Sequence, residues 1–301
     1  MIRRGDGAWF DRQYARGGGS QGLDGFAAAQ RGTQRWRRTC LLKSLRRADV
    51  TGRVLDAGCG PGLLLAELAA ARFPRRIGMD LSAEGLARRL SGAAEGWVRG
   101  RLPDSPFAAE SFDLALCLEM LYYLTPEQQE TAVDELRRVV RPGGWILLSA
   151  RLDDGARYLS RPRLEQLARR AGETVVVIPQ RDRWIRPWER RLMQWSALCR
   201  YYPAQLQRIL QQEEAKTPRQ RWLRAAARGI GGEGLRRGVE RLGAALEQGV
   251  LGLMGWRWPV GLAEGLAGIL APASTLTGMA ILCRVASGDG EKKGDGSGGA
   301  S

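Results

Sequence analysis

Residues 54–62 read Val-Leu-Asp-Ala-Gly-Cys-Gly-Pro-Gly, and this run constrains the fold more than any other segment. Val54 and Leu55 have the character of a buried strand end, with Asp56 at its carboxyl edge. Gly58, Gly60 and Gly62 permit a tight turn at positive φ and let a ligand approach the backbone. Leu63 to Ala71 then reads as a helix, whose first turn brings unpaired N–H groups and a positive dipole end. Strand, glycine turn and helix start together make the ligand-binding corner of an open α/β sheet.

The rest of the chain supplies such a sheet. Strand-like segments lie at 54–55, 76–79, 96–98, 112–117, 144–149, 174–178 and 277–285, and helical stretches at 63–72, 83–91, 126–140 and 162–171. This alternation predicts a doubly wound, mostly parallel α/β sheet. Upstream, a short helix is expected near Trp9–Ala15 and a basic one from Phe26 to Leu45.

Spacing narrows the ligand. Dinucleotide-binding enzymes carry G-x-G-x-x-G, whose third glycine would fall where this chain has Leu63. The pattern here is D-x-G-x-G-x-G. It resembles the first motif of class I S-adenosylmethionine (SAM)-dependent methyltransferases. Two further segments carry that resemblance: Ile77-Gly78-Met79-Asp80-Leu81-Ser82 after the second strand, and the Arg141-Pro142-Gly143-Gly144 turn before the fifth. The resemblance covers about residues 50–180 and the last strand. It implies a seven-stranded Rossmann-like sheet ending in an antiparallel hairpin, with a helical insertion before the last strand. On that division residues 1–49 are an N-terminal lid or cap and 50–181 the SAM-binding domain, completed by strand 277–285. Residues 182–276 are the insertion, and 287–301, rich in Gly, Ser, Lys and Asp, are a disordered tail.

The resemblance also assigns a cofactor site. Asp56 with Gly58, Gly60 and Gly62 receives the amino-acid end of SAM. Asp80, followed by Leu81, takes the ribose hydroxyls, an acid in this position accepting two charge-assisted bonds; the plain alternative is an acid near a helix start, with Ser82 as N-cap. Aligning on Pro106-Phe107 puts Arg101 where an adenine-contacting acid stands in the family, a departure that leaves the Leu102 N–H or Asp104 to meet the base. Glu119, with apolar neighbours on both sides, either binds the SAM ammonium, acts as a base, or is an ordinary loop acid. Tyr122 is the second candidate catalytic residue. Tyr14, Gln34, Arg35 and Trp36 are candidates for a lid, with plain core packing the alternative for Trp36.

Composition restricts the chemistry. The chain has no histidine and no asparagine, so His-based triads, H-E-x-x-H metal sites and a histidine base are all excluded. Its cysteines, Cys40, Cys59, Cys117, Cys199 and Cys283, are dispersed, which argues against a disulfide framework or a zinc site; no metal is expected. Methyl transfer from a sulfonium suits such a chain, because proximity and orientation alone can lower a barrier by about 7–11 kcal/mol.

The formal charge of +15 attracts anionic partners. In 182–241 arginines interleave with Trp184, Trp188, Trp195, Tyr201, Tyr202 and Trp222, and 242–272 turn apolar and glycine-rich. No run there reaches the roughly 20 apolar residues of a membrane span. The insertion reads as contact with an anionic membrane surface, as a cap over a small-molecule pocket, or, less favoured, as a nucleic-acid surface. With no apolar leader after Met1, a cytoplasmic location is expected, with peripheral contact at the inner face of a membrane. The expected activity is methyl transfer to a small, hydrophobic or lipid-like acceptor on oxygen, nitrogen or carbon. RNA or protein methylation is the alternative, and a non-catalytic SAM-binding interaction protein is the alternative of another class.

Overall fold

The computed structural model describes residues 5–15, 32–153, 155–183, 258–270 and 276–287, with scattered positions between 185 and 256. The expected start of the basic helix at 26–31, most of the Arg- and aromatic-rich insertion and the tail from 288 lie outside the described residues.

Seven strands form one sheet in the order β3-β2-β1-β4-β5-β7-β6. They are β1 Arg53–Ala57, β2 Arg75–Asp80, β3 Gly96–Arg99, β4 Phe112–Leu118, β5 Val140–Arg151, β6 Glu173–Gln180 and β7 Gly278–Arg284. The first five pair in parallel, and β7 runs antiparallel to both neighbours, β5 and β6. The mixed, mostly parallel sheet expected of the sequence is therefore present, and the strand that closes it comes from the far side of residues 182–276. The helices are α1 Gly7–Ala15, α2 Gly32–Arg47, α3 Leu63–Glu67, α4 Ala83–Ala87, α5 Pro126–Val139, α6 Arg161–Ala171 and α7 Trp258–Leu270. None of the described helices is long and apolar enough to cross a membrane.

The central strands are apolar on both faces because both are covered. Side chains alternate across the pleat: Ile146, Leu148 and Ala150 of β5 join the cluster that holds Ala132, Val133 and Leu136 of α5 and Leu164 and Leu167 of α6. Leu147, between them, joins Leu41 and Leu45 of α2 and Leu64 and Leu65 of α3 on the opposite face. α5 starts where Thr125 and Gln128 form a reciprocal capping box with Pro126 in the first turn.

Two helices are shorter than their sequence pattern. α3 stops at Glu67 because Leu68 and Phe73 are both buried in the α2–α3 cluster; helix continuation would turn them about 140° apart. α4 stops at Ala87, and the Leu90 amide instead donates to the Pro61 carbonyl at 3.0 Å. Conversely β5 begins at Val140, before the Arg141–Gly144 turn. That turn is absorbed as an irregularity between Phe112 and Leu114 of the β4–β5 ladder.

Candidate functional site

The carboxyl ends of β1, β2 and β4 form one edge of the sheet, and the residues singled out from sequence gather there. Asp56 ends buried between the β1 neighbours. Burial first, and the Asp80 charge second, push its carboxyl up to about 7, and among the described residues no hydrogen bond engages it. A buried acid held in this way offers a cation both charge and an acceptor.

The turn that follows is laced to β2. The amides of Gly58 and Cys59 both donate to the Met79 carbonyl, at 2.7 and 3.1 Å. The Gly60 amide donates to Asp80 Oδ2 at 2.7 Å, and Ser82 N to Oδ1 at 2.8 Å. Each Asp80 oxygen thus accepts from one of these amides. Burial is the largest influence on the Asp80 carboxyl and raises it, while these two amides oppose the rise.

Gly58, Gly60 and Gly62 have φ of 87°, 51° and 80°, the left-handed region that penalises a Cβ. Two of them are also crowded by side chains. A Cβ on Gly60 would lie 2.5 Å from the Tyr14 hydroxyl, and one on Gly62 would run into the Trp97 ring. Trp97, in β3, was not picked out from sequence, since a lone aromatic in a weak strand carries no signal of what it faces.

α1 lies over this edge. Asp11 Oδ1 accepts from the Ser82 hydroxyl at 2.6 Å and from Glu84 N at 3.1 Å, and the Ser82 bond chiefly holds its carboxyl below the usual range. Phe10 stacks edge-on against Tyr123, with centroids 4.9 Å apart. Tyr14 reaches the turn, and burial followed by the Asp80 charge pushes its phenol well up, so it stays protonated. Of the other lid candidates, Trp36 instead bonds Glu264 of α7 through Nε1 at 3.1 Å and packs on Gly261. Leu81 meets the start of α1 at Gly7, and its carbonyl accepts from Arg99 Nε.

Past β3, Arg101 is exposed and pairs with Asp104 at 3.0 Å, both side chains about two-thirds accessible. Leu102 is buried in the α5–α6 side of the core. So Arg101 and Asp104 meet each other, leaving the buried Leu102 as the residue of that loop nearest the sheet core.

Past β4, Glu119 adopts φ 56°, a strained conformation for a non-glycine residue that marks functional sites. Its amide donates to the Ser149 carbonyl at 2.9 Å. Its carboxylate accepts from Ser149 Oγ at 2.9 Å and from the Tyr122 hydroxyl at 3.3 Å. The Tyr122 phenol is pushed far up, by burial and then by Glu119. In this arrangement it donates to Glu119. Ser149, buried at the end of β5, is the member of this group that sequence reasoning missed, because a serine in an apolar strand looks like tolerated core.

Comparison with known proteins bears on residues 55–148, which match the family model for a methyltransferase domain. The ubiquinone biosynthesis O-methyltransferase of Paraburkholderia phymatum is 36% identical over 111 residues, covering 34% of this chain and 46% of that protein. The malonyl-[acyl-carrier protein] O-methyltransferase of Erwinia billingiae is 37% identical over 109 residues, covering 36% and 42%. The chain thus spans less than half the length of these relatives. Among solved structures, N-methyltransferase NodS from Bradyrhizobium japonicum WM9, in complex with S-adenosyl-L-homocysteine, aligns at 19% identity and TM-score 0.48, covering 60% of this chain and 91% of that one.

Proposed function

We propose that this chain, whose residues 55–148 match the family model for a methyltransferase domain, is a class I SAM-dependent methyltransferase that binds SAM at the β1–β2–β4 edge and transfers its methyl group to a small, hydrophobic or lipid-like acceptor. The observation that carries the reading is Asp56: a buried carboxyl raised to about 7 beside a glycine turn, with no hydrogen bond from the described residues. An ammonium group answers that arrangement. The residues present fit SAM in other respects as well. Asp80, whose oxygens accept from the Gly60 and Ser82 amides, ends β2 beside the glycine turn, where its carboxylate suits ribose hydroxyls.

When bound, SAM supplies a methyl group on a sulfonium, an electrophile ready for in-line displacement. What this chain contributes is placement. Asp56 and Asp80 hold the two ends of the cofactor, and α1 with Tyr14 closes water off from the glycine turn. Glu119, fixed by Ser149 and Tyr122, faces the acceptor side and can take a proton from an oxygen or nitrogen that still carries one. Titration calorimetry with SAM and with S-adenosyl-L-homocysteine (SAH) tests the cofactor. Transfer of labelled methyl in cell extract, resolved into lipid, small-molecule, RNA and protein fractions, tests the activity. Label in the RNA or protein fraction alone would replace the proposed acceptor class, and SAH binding without label would favour a non-catalytic role.

One observation supports peripheral contact with a membrane. Leu262, Leu266, Ile269 and Leu270 share a face of α7 and are all substantially exposed. In a chain of formal charge +15, such a face suits an anionic lipid surface. Flotation with vesicles of phosphatidylcholine, with and without phosphatidylserine, should show salt-sensitive binding that Leu266→Glu with Ile269→Glu removes.

A further inference from the structure

Beyond the Glu119 group, a second polar cluster sits where β5, β6 and β7 meet α2. Asp182, just past β6, accepts from Arg37 Nη2 at 2.8 Å and from the Thr277 hydroxyl at 2.5 Å, and Arg151 Nη2 stands 3.9 Å away. Arg37 is only 5% exposed. Yet among the described residues Arg37 Nε and Nη1 and Arg151 Nη1 are buried without a hydrogen-bond partner. Buried guanidinium nitrogens are rarely left so, because each has given up water for nothing in return.

Charge and position say what would complete them. Among the described residues, Asp182 is the one carboxylate within 4 Å of both guanidinium groups. Glu264 faces the same region, its oxygens accepting from Arg181 N and Trp36 Nε1; burial raises its carboxyl, and the Arg181 amide and the Arg37 charge oppose the rise. Arg151 lies two residues beyond Ser149 on β5, on the same face and so about 7 Å further along the strand. Its charge also acts on the Tyr122 phenol. The cluster therefore adjoins the acceptor side of the proposed active site.

We propose that Arg37 and Arg151 seat a carboxylate group carried by the methyl acceptor, distal to the atom that is methylated. This rests on the methyltransferase reading above. A carboxylate offers a planar pair of acceptors that suits guanidinium N–H groups left without partners.

The full chain saturated with SAH is titrated by NMR with hexanoate, hexyl phosphate and 1-hexanol as probes. Hexanoate should bind at least tenfold more tightly than 1-hexanol and more tightly than hexyl phosphate. Arg151→Gln should bring hexanoate down to the level of 1-hexanol while SAH still binds, which reports an intact fold. Arg37→Gln should do the same, and Arg151→Gln keeps the question open to measurement if Arg37→Gln does not fold. Equal binding of hexanoate and 1-hexanol, or an undiminished preference in Arg151→Gln, would mean that the arginines only clamp α2 to the sheet. Tighter binding of hexyl phosphate would overturn the choice of carboxylate. Failure of SAH itself to bind would instead sink the methyltransferase reading, so the two failures are separable.

Discussion

The Gly60 amide donates to Asp80 Oδ2 across 2.7 Å, which joins the glycine turn after β1 to the acid that ends β2. The two motifs are thereby one structural unit, and loss of the acid removes the brace of the turn together with the proposed ribose contact. Asp80→Ala should weaken SAH binding about 10- to 100-fold, or about 1.4–3 kcal/mol. Calorimetry checks this, and unchanged affinity would remove Asp80 from the site.

Asp56 should link cofactor binding to protons. Its carboxyl is raised from 3.8 to about 7 in the folded chain, so between those values the folded state binds more protons than the unfolded one. The stability it contributes is full below about pH 4 and lost as pH rises to 7, a change on the order of 4 kcal/mol at most. Denaturant melts from pH 4 to 8 should show that decline, flattened in Asp56→Asn. An ammonium beside Asp56 would lower its pKa. SAH binding at pH 6 should thus release a proton from this group, seen as a dependence of the measured enthalpy on buffer ionisation that Asp56→Asn abolishes.

Tyr14 and Gly60 should be energetically coupled. Gly60→Ala imposes φ 51° on an alanine and drives its Cβ to 2.5 Å from the Tyr14 hydroxyl. The single change should cost about 1–3 kcal/mol of stability. In a Tyr14→Phe background the steric part disappears, so a double-mutant cycle should give a coupling above about 0.5 kcal/mol. An additive cycle would mean that α1 does not sit over the turn in solution.

Glu119 should matter for turnover more than for cofactor affinity. Because Ser149 Oγ and the Tyr122 hydroxyl both donate to its carboxylate, Glu119→Gln replaces one acceptor with a donor that clashes with them. The expected loss in kcat/KM is about 10²-fold or more, with SAH affinity within threefold. A parallel loss of SAH affinity would assign Glu119 to the SAM ammonium. Ser149→Ala should show a weaker version of the same effect.

The fold was legible because it is written locally. Seven strands and the helices between them follow from apolar runs of strand length, from the Thr125–Gln128 capping box and from glycines where φ must be positive. Boundaries were less legible wherever a distant carbonyl or a buried side chain outbid helix propensity, as at Leu68, Phe73 and Leu90. The cofactor edge was largely readable for the same reason: Asp56, the three glycines and Asp80 lie at strand ends that the pattern itself locates.

Other parts of the site exist only through long-range packing. Trp97 beneath Gly62 and Ser149 against Glu119 carry no local signal, since nothing in their neighbours says what they will touch. Arg37 and Asp182 are 145 residues apart, and the cluster they share forms only because β7 returns between β5 and β6. The amino-acid sequence by itself determined the sheet, the glycine turn and its two acids, because dihedral preference and hydrophobic period act over a few residues. Only the tertiary structure decided which side chains close over that turn and which charges are buried together, because burial is set by whatever distant segment happens to cover a face.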